Sequence, residues 1–405
     1  MITLRPQAML ERLRSHSPIA SFLSKAARGP YPVDVAEAEG PFAALLVAEA
    51  AASRRGPVLV VVPTDQEAQA MESDLSLLGA DPILMPWWRT AAYRAASARA
   101  HAFGERSACL ARMALGSSRV VVACQRAFVT PVPPRAYFEP LVFSLSRGGS
   151  IDPAAVGERL AQIGYLRVPR VSLPGEFALR GEVLDIFLPG DESAVRAVFE
   201  YDRIERLSSF DPVLQSSSGA LDSVAVRPMK ETIWDRERVD TLAAALPRMP
   251  GLRGREGPLL EELAEKGEAR GEELWYPLAF EKPGTLLDYL GEDALVFLHD
   301  HERLGAQEEA ARKEFAGLYR RALQEGPVPP PDKLLHSFAA LEADALSGLG
   351  GKRKSFALAR SFALKDAEAI DRLRMGAEQP RSFFGNVQYF KEEVATLTKT
   401  GYDIV

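Results

Sequence analysis

The sequence predicts an α/β protein in which a parallel sheet, covered by helices on both faces, is split in two by an inserted smaller α/β domain with an antiparallel sheet. Two observations carry the larger sheet. The β-branched runs "PVLVVVP" at 57–63 and "RVVVA" at 119–123 are continuous rather than alternating, as strands buried on both faces are. Helical stretches separate them, which is the rhythm of a parallel sheet. A third observation carries the insertion. Between about 137 and 228 short alternating runs are punctuated by turn residues, the pattern of antiparallel strands.

In order along the chain, "PFAALLVAEAAAS" after Gly40 reads as a helix, and 57–63 as the first buried strand. "DQEAQAMESDLSLLG" is an amphipathic helix stopped by Gly79, "PILMP" a short strand, and 96–115 a further helix before the strand at 119–123. Asp152-Pro153 supplies an N-cap followed by proline at the first helical position, opening a helix to about Gly164. "EFALRGEVLDIF", "AVRAVFEYD", "RIERLSSFD" and "SVAVRP" then follow as strands. Helices return at 236–246, 258–269 and 302–326, with "DALVFLHD" a buried strand between them that completes the first sheet. The expected division is 1–136 and 229–346 for the two parts of the larger domain and 137–228 for the insertion. Residues 347–380, with "GLGGKRKS", read as a linker, and 381–405 as the start of a following domain. The chain end cuts off a strand there, as expected of a piece of a longer protein.

Composition sets limits on function. With 405 residues, 47% apolar and 26% charged, the chain has the make-up of a globular protein of two or three domains. No run is long and uncharged enough for a membrane span, and the N-terminus lacks the layout of a signal peptide, so the cytoplasm is the expected location. Two cysteines, Cys109 and Cys124, argue against a disulfide framework or a zinc cluster. Net charge is −6, so no global field favours nucleic acid. Only 11 of the 49 basic residues are lysine, which makes arginine richness a habit of the whole chain.

Several chemistries lack their parts. A phosphate loop needs small backbone, a lysine and a hydroxyl, and no G-x-x-x-x-G-K-[ST] occurs. At the place where such a loop would enter the first helix, Glu39, Gly40 and Pro41 stand, preceded by Glu37 and followed by Phe42, so carboxylates would repel a triphosphate. "HDHE" at 299–302 sets two imidazoles at a strand end but lacks distant ligands, and reads better as a polar strand end than as a metal site. No G-x-S-x-G elbow occurs, and there are five histidines in all. "MPWWRTAAYRAASARAHAFGER" at 85–106 interleaves Trp87, Trp88 and Tyr93 with Arg89, Arg94 and Arg99, which suits single-stranded nucleic acid. Against that, tryptophans following a strand are more often core.

The most informative stretch is "PGEFALRGEVLDIFLPG" at 174–190, a strand pair that carries Glu176, Arg180, Glu182 and Asp185. Residues 164–210 hold six arginines, among them Arg167, Arg170, Arg180 and Arg196, against eight carboxylates. A face of mixed sign suits bidentate pairing with a protein partner better than phosphate recognition. A solvated sheet face with incidental ion pairs accounts for the same residues equally well.

Residues 164–215, "GYLRVPRVSLPGEFALRGEVLDIFLPGDESAVRAVFEYDRIERLSSFDPVLQ", resemble the module shared by the bacterial repair protein UvrB and the transcription-repair coupling factors. Gly-Tyr, Pro-Gly-Glu-Phe, Arg-Gly, Leu-Asp-Ile-Phe and Ser-Phe-Asp-Pro recur in that order, and looser similarity extends through "PWWRTAAYRAASARA", "PVPPPDKLL" and "RSFFGNVQYFKEE". The resemblance implies a RecA-like domain split around an inserted domain that docks the damage-recognition protein UvrA. The missing phosphate loop, and the lack of a hairpin signal after Trp88, resemble the coupling factors' N-terminal module rather than UvrB itself. That module is expected to be non-catalytic and to need no cofactor, ATP and Mg belonging to motor domains outside this chain. Matched residue by residue, the resemblance implies UvrA contacts at Arg167, Arg180 and Phe187, with Arg170, Phe177 and Arg196 as further interface candidates. UvrB carries an arginine where Ala178 stands here, which is a departure. The resemblance further implies that RNA polymerase and DNA are engaged through regions absent here, and that the docking surface can be masked by the full protein's C-terminal domain. The remaining alternatives are a UvrB-type ATP-dependent loader and a DNA-binding module at 85–106.

Overall fold

The computed structural model describes residues 13–14, 16–90, 92–93, 100–249, 257–291, 293–325, 328–351, 355–363, 372–377, 383 and 385–401. Strands β1 (Val33–Ala36), β2 (Val58–Val62), β3 (Pro82–Met85) and β4 (Val120–Cys124) come first. Strands β5 (Phe143–Ser146), β6 (Leu166–Arg167), β7 (Glu176–Arg180), β8 (Val183–Ile186), β9 (Ala194–Glu200), β10 (Arg203–Asp211), β11 (Ser216–Ala220) and β12 (Ser223–Val226) follow. Strands β13 (Leu295–Leu298), β14 (Ala357–Phe362) and β15 (Leu373–Arg374) close the set.

The larger sheet runs in the order β15-β1-β14-β13-β2-β4-β3, with every pairing parallel. Its middle strands explain the continuous apolar runs, since all five residues of β2 and all five of β4 are buried. Because β1 to β4 precede the antiparallel strands and β13 to β15 follow them, the sheet is assembled from both flanks of the insertion. The helices on it are locally specified. Helix Asp65–Leu77 opens on Thr64, whose Oγ1 accepts from Glu67 N while donating to the Glu67 carboxylate, and ends before Gly79 at φ 81°.

The inserted sheet runs β11-β10-β9-β8-β7-β6, antiparallel except for the β6–β7 pair, and β5 pairs with β12 beside it. Helix Pro153–Gln162, capped by Asp152, buries Val156 and Leu160 against Phe177, Leu184, Ile186, Val195, Ala197 and Phe199. These strand residues alternate along their strands, so one sheet face forms a core under the helix and the other faces outward. The Leu-Pro-Gly turn ending the 174–190 stretch lies against helix Ala100–Ala114. Gly190, at φ 80°, has no Cβ there, and one would stand 3.0 Å from the Ala108 Cβ.

Two expectations are corrected. The described residues of 347–380 are not a linker: helix Phe338–Gly351 runs into them, and β14 lies inside the sheet between β1 and β13. Its burial outweighs the basic, glycine-rich composition just before it, with Phe356, Leu358, Ala359 and Phe362 all in the interior. Nor is 229–346 simply the second half of the sheet, since it supplies only β13. Trp234, Leu242, Trp275, Tyr276 and Phe280 instead form a second core with Trp88 and Phe103. Helix Val387–Lys399 buries none of its residues, and the strand expected after it falls at 402–405, outside the described residues.

Candidate partner-docking site

Four candidate chemistries are placed by the structure. At the phosphate-loop position, Gly40 has φ 56° and Pro41 opens the helix Pro41–Ser53 with no N–H to give. The next two amides are already used, Phe42 N donating to the Glu39 carbonyl and Ala43 N to the Gly40 carbonyl. Glu37 is fastened to the strand end, its carboxylate accepting from Gly376 N at 3.2 Å and its carbonyl from Ala377 N. A helix start of this kind presents carboxylates rather than free amides, the reverse of an anion cradle.

The "HDHE" histidines have separate partners. His299 Nδ1 lies 2.9 Å from Ser361 Oγ, and His301 Nε2 lies 3.0 Å from Glu342 Oε2. Among the described residues, no group of three or more His, Cys, Asp or Glu is placed to hold a metal. Burial pushes the Cys109 thiol up to about 12 and the Cys124 thiol up to about 11, so neither supplies a thiolate near neutrality.

The aromatic residues of 85–106 pack inward, Trp88 and Phe103 buried and Trp87 and Tyr93 half-buried. Trp88 packs on Phe103 and Tyr276, Trp87 lies under the Arg126 guanidinium, and Tyr93 packs on Phe315 and Tyr319 while its hydroxyl donates to the Pro329 carbonyl. Trp88 is buried, and the half-buried Trp87 and Tyr93 already have partners against their rings within the fold. Arg94 and Arg99 lie outside the described residues.

The outward face of the inserted sheet has a definite build. Register sets Ala178, Asp185, Arg196 and Ser208 in one row across the strands, and Arg180, Val183, Val198 and Arg206 in the next. Asp185 is 1% exposed, although it stands on the open side. Arg196 grips it with two bonds, Nε to Oδ1 at 2.6 Å and Nη2 to Oδ2 at 2.8 Å, and Arg180 Nη2 adds a third at 2.8 Å. Arg196 also lies over the Phe210 ring at 4.1 Å, and its bonds to Asp185 raise an already high pKa further. The buried carboxylate thus anchors two guanidiniums. Arg180 keeps 49% of its side chain exposed, and Arg206 is exposed beyond it, so the face presents guanidiniums to solvent.

The remaining expected contacts divide. Arg167 is exposed on the edge strand β6, and Arg170 is exposed in the following loop, its Nη2 donating to the Val213 carbonyl at 3.3 Å. Phe177 and Phe187 are corrections. Phe177, 1% exposed, points into the core under helix Pro153–Gln162. Phe187 shares the outward face with Asp185, but the 168–175 loop crosses that end of the sheet and covers it. It packs with Val171, Ala178, Ala194 and Phe210, leaving it 7% exposed. Asp185 and Arg206 were absent from the expected contacts. The signal for Asp185 was available, since a carboxylate between Leu184 and Ile186 in a strand must face away from the core.

The inserted sheet thus turns outward an arginine pair anchored on one buried carboxylate. Residues 143–231 match the family described as UvrB interaction domain. The chain is similar to three proteins each described as transcription-repair-coupling factor. That of Borreliella burgdorferi is 24% identical over 373 residues, 91% of this chain and 31% of the relative. That of Bacillus subtilis is 26% identical, over 86% of this chain and 31% of the relative. That of Mycobacterium bovis is 31% identical, over 65% of this chain and 22% of the relative. Residues 143–231 are therefore similar to the UvrB interaction domain, and the chain is similar over most of its length to transcription-repair-coupling factors. It spans less than a third of the length of these relatives.

Proposed function

We propose that the chain docks the damage-recognition protein UvrA through the outward face of β7 to β10, and so brings excision repair to sites of stalled transcription. The observation that carries the reading is the anchoring of Arg180 and Arg196 on buried Asp185, within the segment that matches an interaction domain. Planar guanidiniums held in place by a buried acid are ready to pair with carboxylates of a partner without first losing side-chain freedom. RNA polymerase and DNA are engaged, on this reading, by parts of the longer protein outside this chain.

Arg180→Glu puts a negative charge beside Asp185 and removes the exposed guanidinium. Binding of purified UvrA, followed by biolayer interferometry, should weaken by more than about tenfold, or ~1.4 kcal/mol, while circular dichroism shows the variant still folded, its midpoint lowered somewhat by the glutamate beside buried Asp185. A folded Arg180→Glu variant that binds UvrA as the parent does would sink the reading.

The segment itself is non-catalytic on this reading, and it takes neither ATP nor Mg. Support comes from the spent amides of Phe42 and Ala43 and from the carboxylates at the helix start. Titration calorimetry with Mg-ATP should show no saturable heat. Micromolar binding would favour the alternative of an ATP-dependent loader.

A further inference from the structure

We propose that the docking face is composite: beyond the arginines, an exposed aliphatic lip formed by Leu173, Val213 and Leu214 seats an apolar side chain of the same partner. This inference rests on the docking function proposed above and adds a second chemistry to it. Leu173 is 63% exposed, Val213 80% and Leu214 74%. Single exposed aliphatics are ordinary, but these three stand on two loops that hydrogen bonds tie together.

The loops are built to hold those side chains outward. The Glu176 carboxylate accepts from Ser172 N at 2.7 Å and Leu173 N at 2.9 Å, fixing the 168–175 loop. The Asp211 carboxylate accepts from Val213 N at 2.7 Å and Leu214 N at 2.9 Å, fixing the β10–β11 turn. Arg170 Nη2 to the Val213 carbonyl and Gln215 Nε2 to the Val171 carbonyl then tie the loops to each other. Pre-set backbone of this kind lowers the ordering cost of binding.

The loops of the lip are linked to the arginine pair through buried contacts. Val171, in the same loop, packs on Phe210, the Arg196 guanidinium lies over that ring, and Arg196 shares Asp185 with Arg180. Interfaces commonly set an apolar contact beside polar pairs, and this linkage to the arginines selects their partner as the occupant.

The test compares UvrA binding by the whole chain with binding by Val213→Ser/Leu214→Ser and by Leu173→Ser across a salt series. Both variants should keep the parent unfolding midpoint, because the bonds that fix the loops go to backbone amides. The double variant should bind UvrA about tenfold more weakly, with an unchanged slope of affinity against salt, since no charge is lost. Arg180→Glu should instead flatten that slope. If Arg180→Glu weakens binding while both lip variants bind as the parent does, the lip is overturned and the docking function stands. If the parent itself fails to bind UvrA, both fall. If the parent sediments as a dimer, and the lip variants turn it to monomer without changing UvrA affinity, the lip is a self-contact and the proposal is overturned.

Discussion

Arg106→Met is expected to destabilise the chain by about 3–5 kcal/mol, read as the loss in urea midpoint multiplied by its slope. The arginine side chain is 0% exposed and its partner Glu231 1% exposed. Its Nε donates to Glu231 Oε1 at 2.5 Å, its Nη1 donates to the Pro86 carbonyl at 2.7 Å, and its guanidinium lies over Trp88 at 4.2 Å. Residue 106 precedes the inserted domain and residue 231 follows it, so this one pair clamps the chain on both sides of the insertion. The neighbouring bond from Ser107 Oγ to the Pro228 carbonyl reinforces the clamp. Methionine retains apolar volume but leaves the buried carboxylate without its cation.

That deficit should carry a pH signature. Burial pushes the Glu231 carboxyl upward, and Arg106 opposes it. Without Arg106 the folded state holds a proton on Glu231 that the unfolded state releases above about pH 4.5, so the variant loses stability as pH rises from 5 to 8. Arg106→Met/Glu231→Leu should recover much of the loss, since an apolar pair of similar volume needs no desolvation of charge. A single variant within about 1 kcal/mol of the parent across that pH range would overturn this account.

Such a pair explains why part of the molecule was legible in the sequence and part was not. β2 and β4 announce themselves because five consecutive apolar residues, valines predominating, suit a strand covered on both faces. The alternation of β7 to β10 likewise reports two faces, and with them the outward arginines. Arg106 and Glu231 are 125 positions apart, and nothing local marks either as buried. β14 was hidden for a related reason, since its place between β1 and β13 depends on pairing across most of the chain. Phe187 shows the limit of face assignment. Its position on the open side follows from strand period, whereas its burial depends on where the 168–175 loop returns. Trp88 and Tyr93 show the same limit, because Tyr276, Phe315 and Tyr319, all from beyond residue 270, become their ring neighbours only after folding.

Asp185→Ala should reveal whether the arginine face is prepared by a buried anchor or merely decorated with ion pairs. The change removes three charge-assisted hydrogen bonds at once, two from Arg196 and one from Arg180. Charged hydrogen bonds contribute about 1.5–3 kcal/mol each when buried, but Arg180 is half-exposed and its share is reduced by solvent. Arg196, with 20% of its side chain exposed, is left over Phe210 without a counter-charge. The summed loss of stability is expected at about 3 kcal/mol, most of it through Arg196. UvrA affinity should fall about tenfold as well, because both guanidiniums regain rotamer freedom that binding must then remove. Asparagine is not expected to rescue, since its amide would turn a donor toward a guanidinium. Arg180→Gln separates the two effects: it should weaken binding with little change in unfolding midpoint. A double-mutant cycle between Asp185→Ala and Arg196→Met should return a coupling of at least about 1 kcal/mol. If Asp185→Ala leaves both the midpoint and the affinity at parent values, the anchor has no energetic role, and the face acts through independent surface charges.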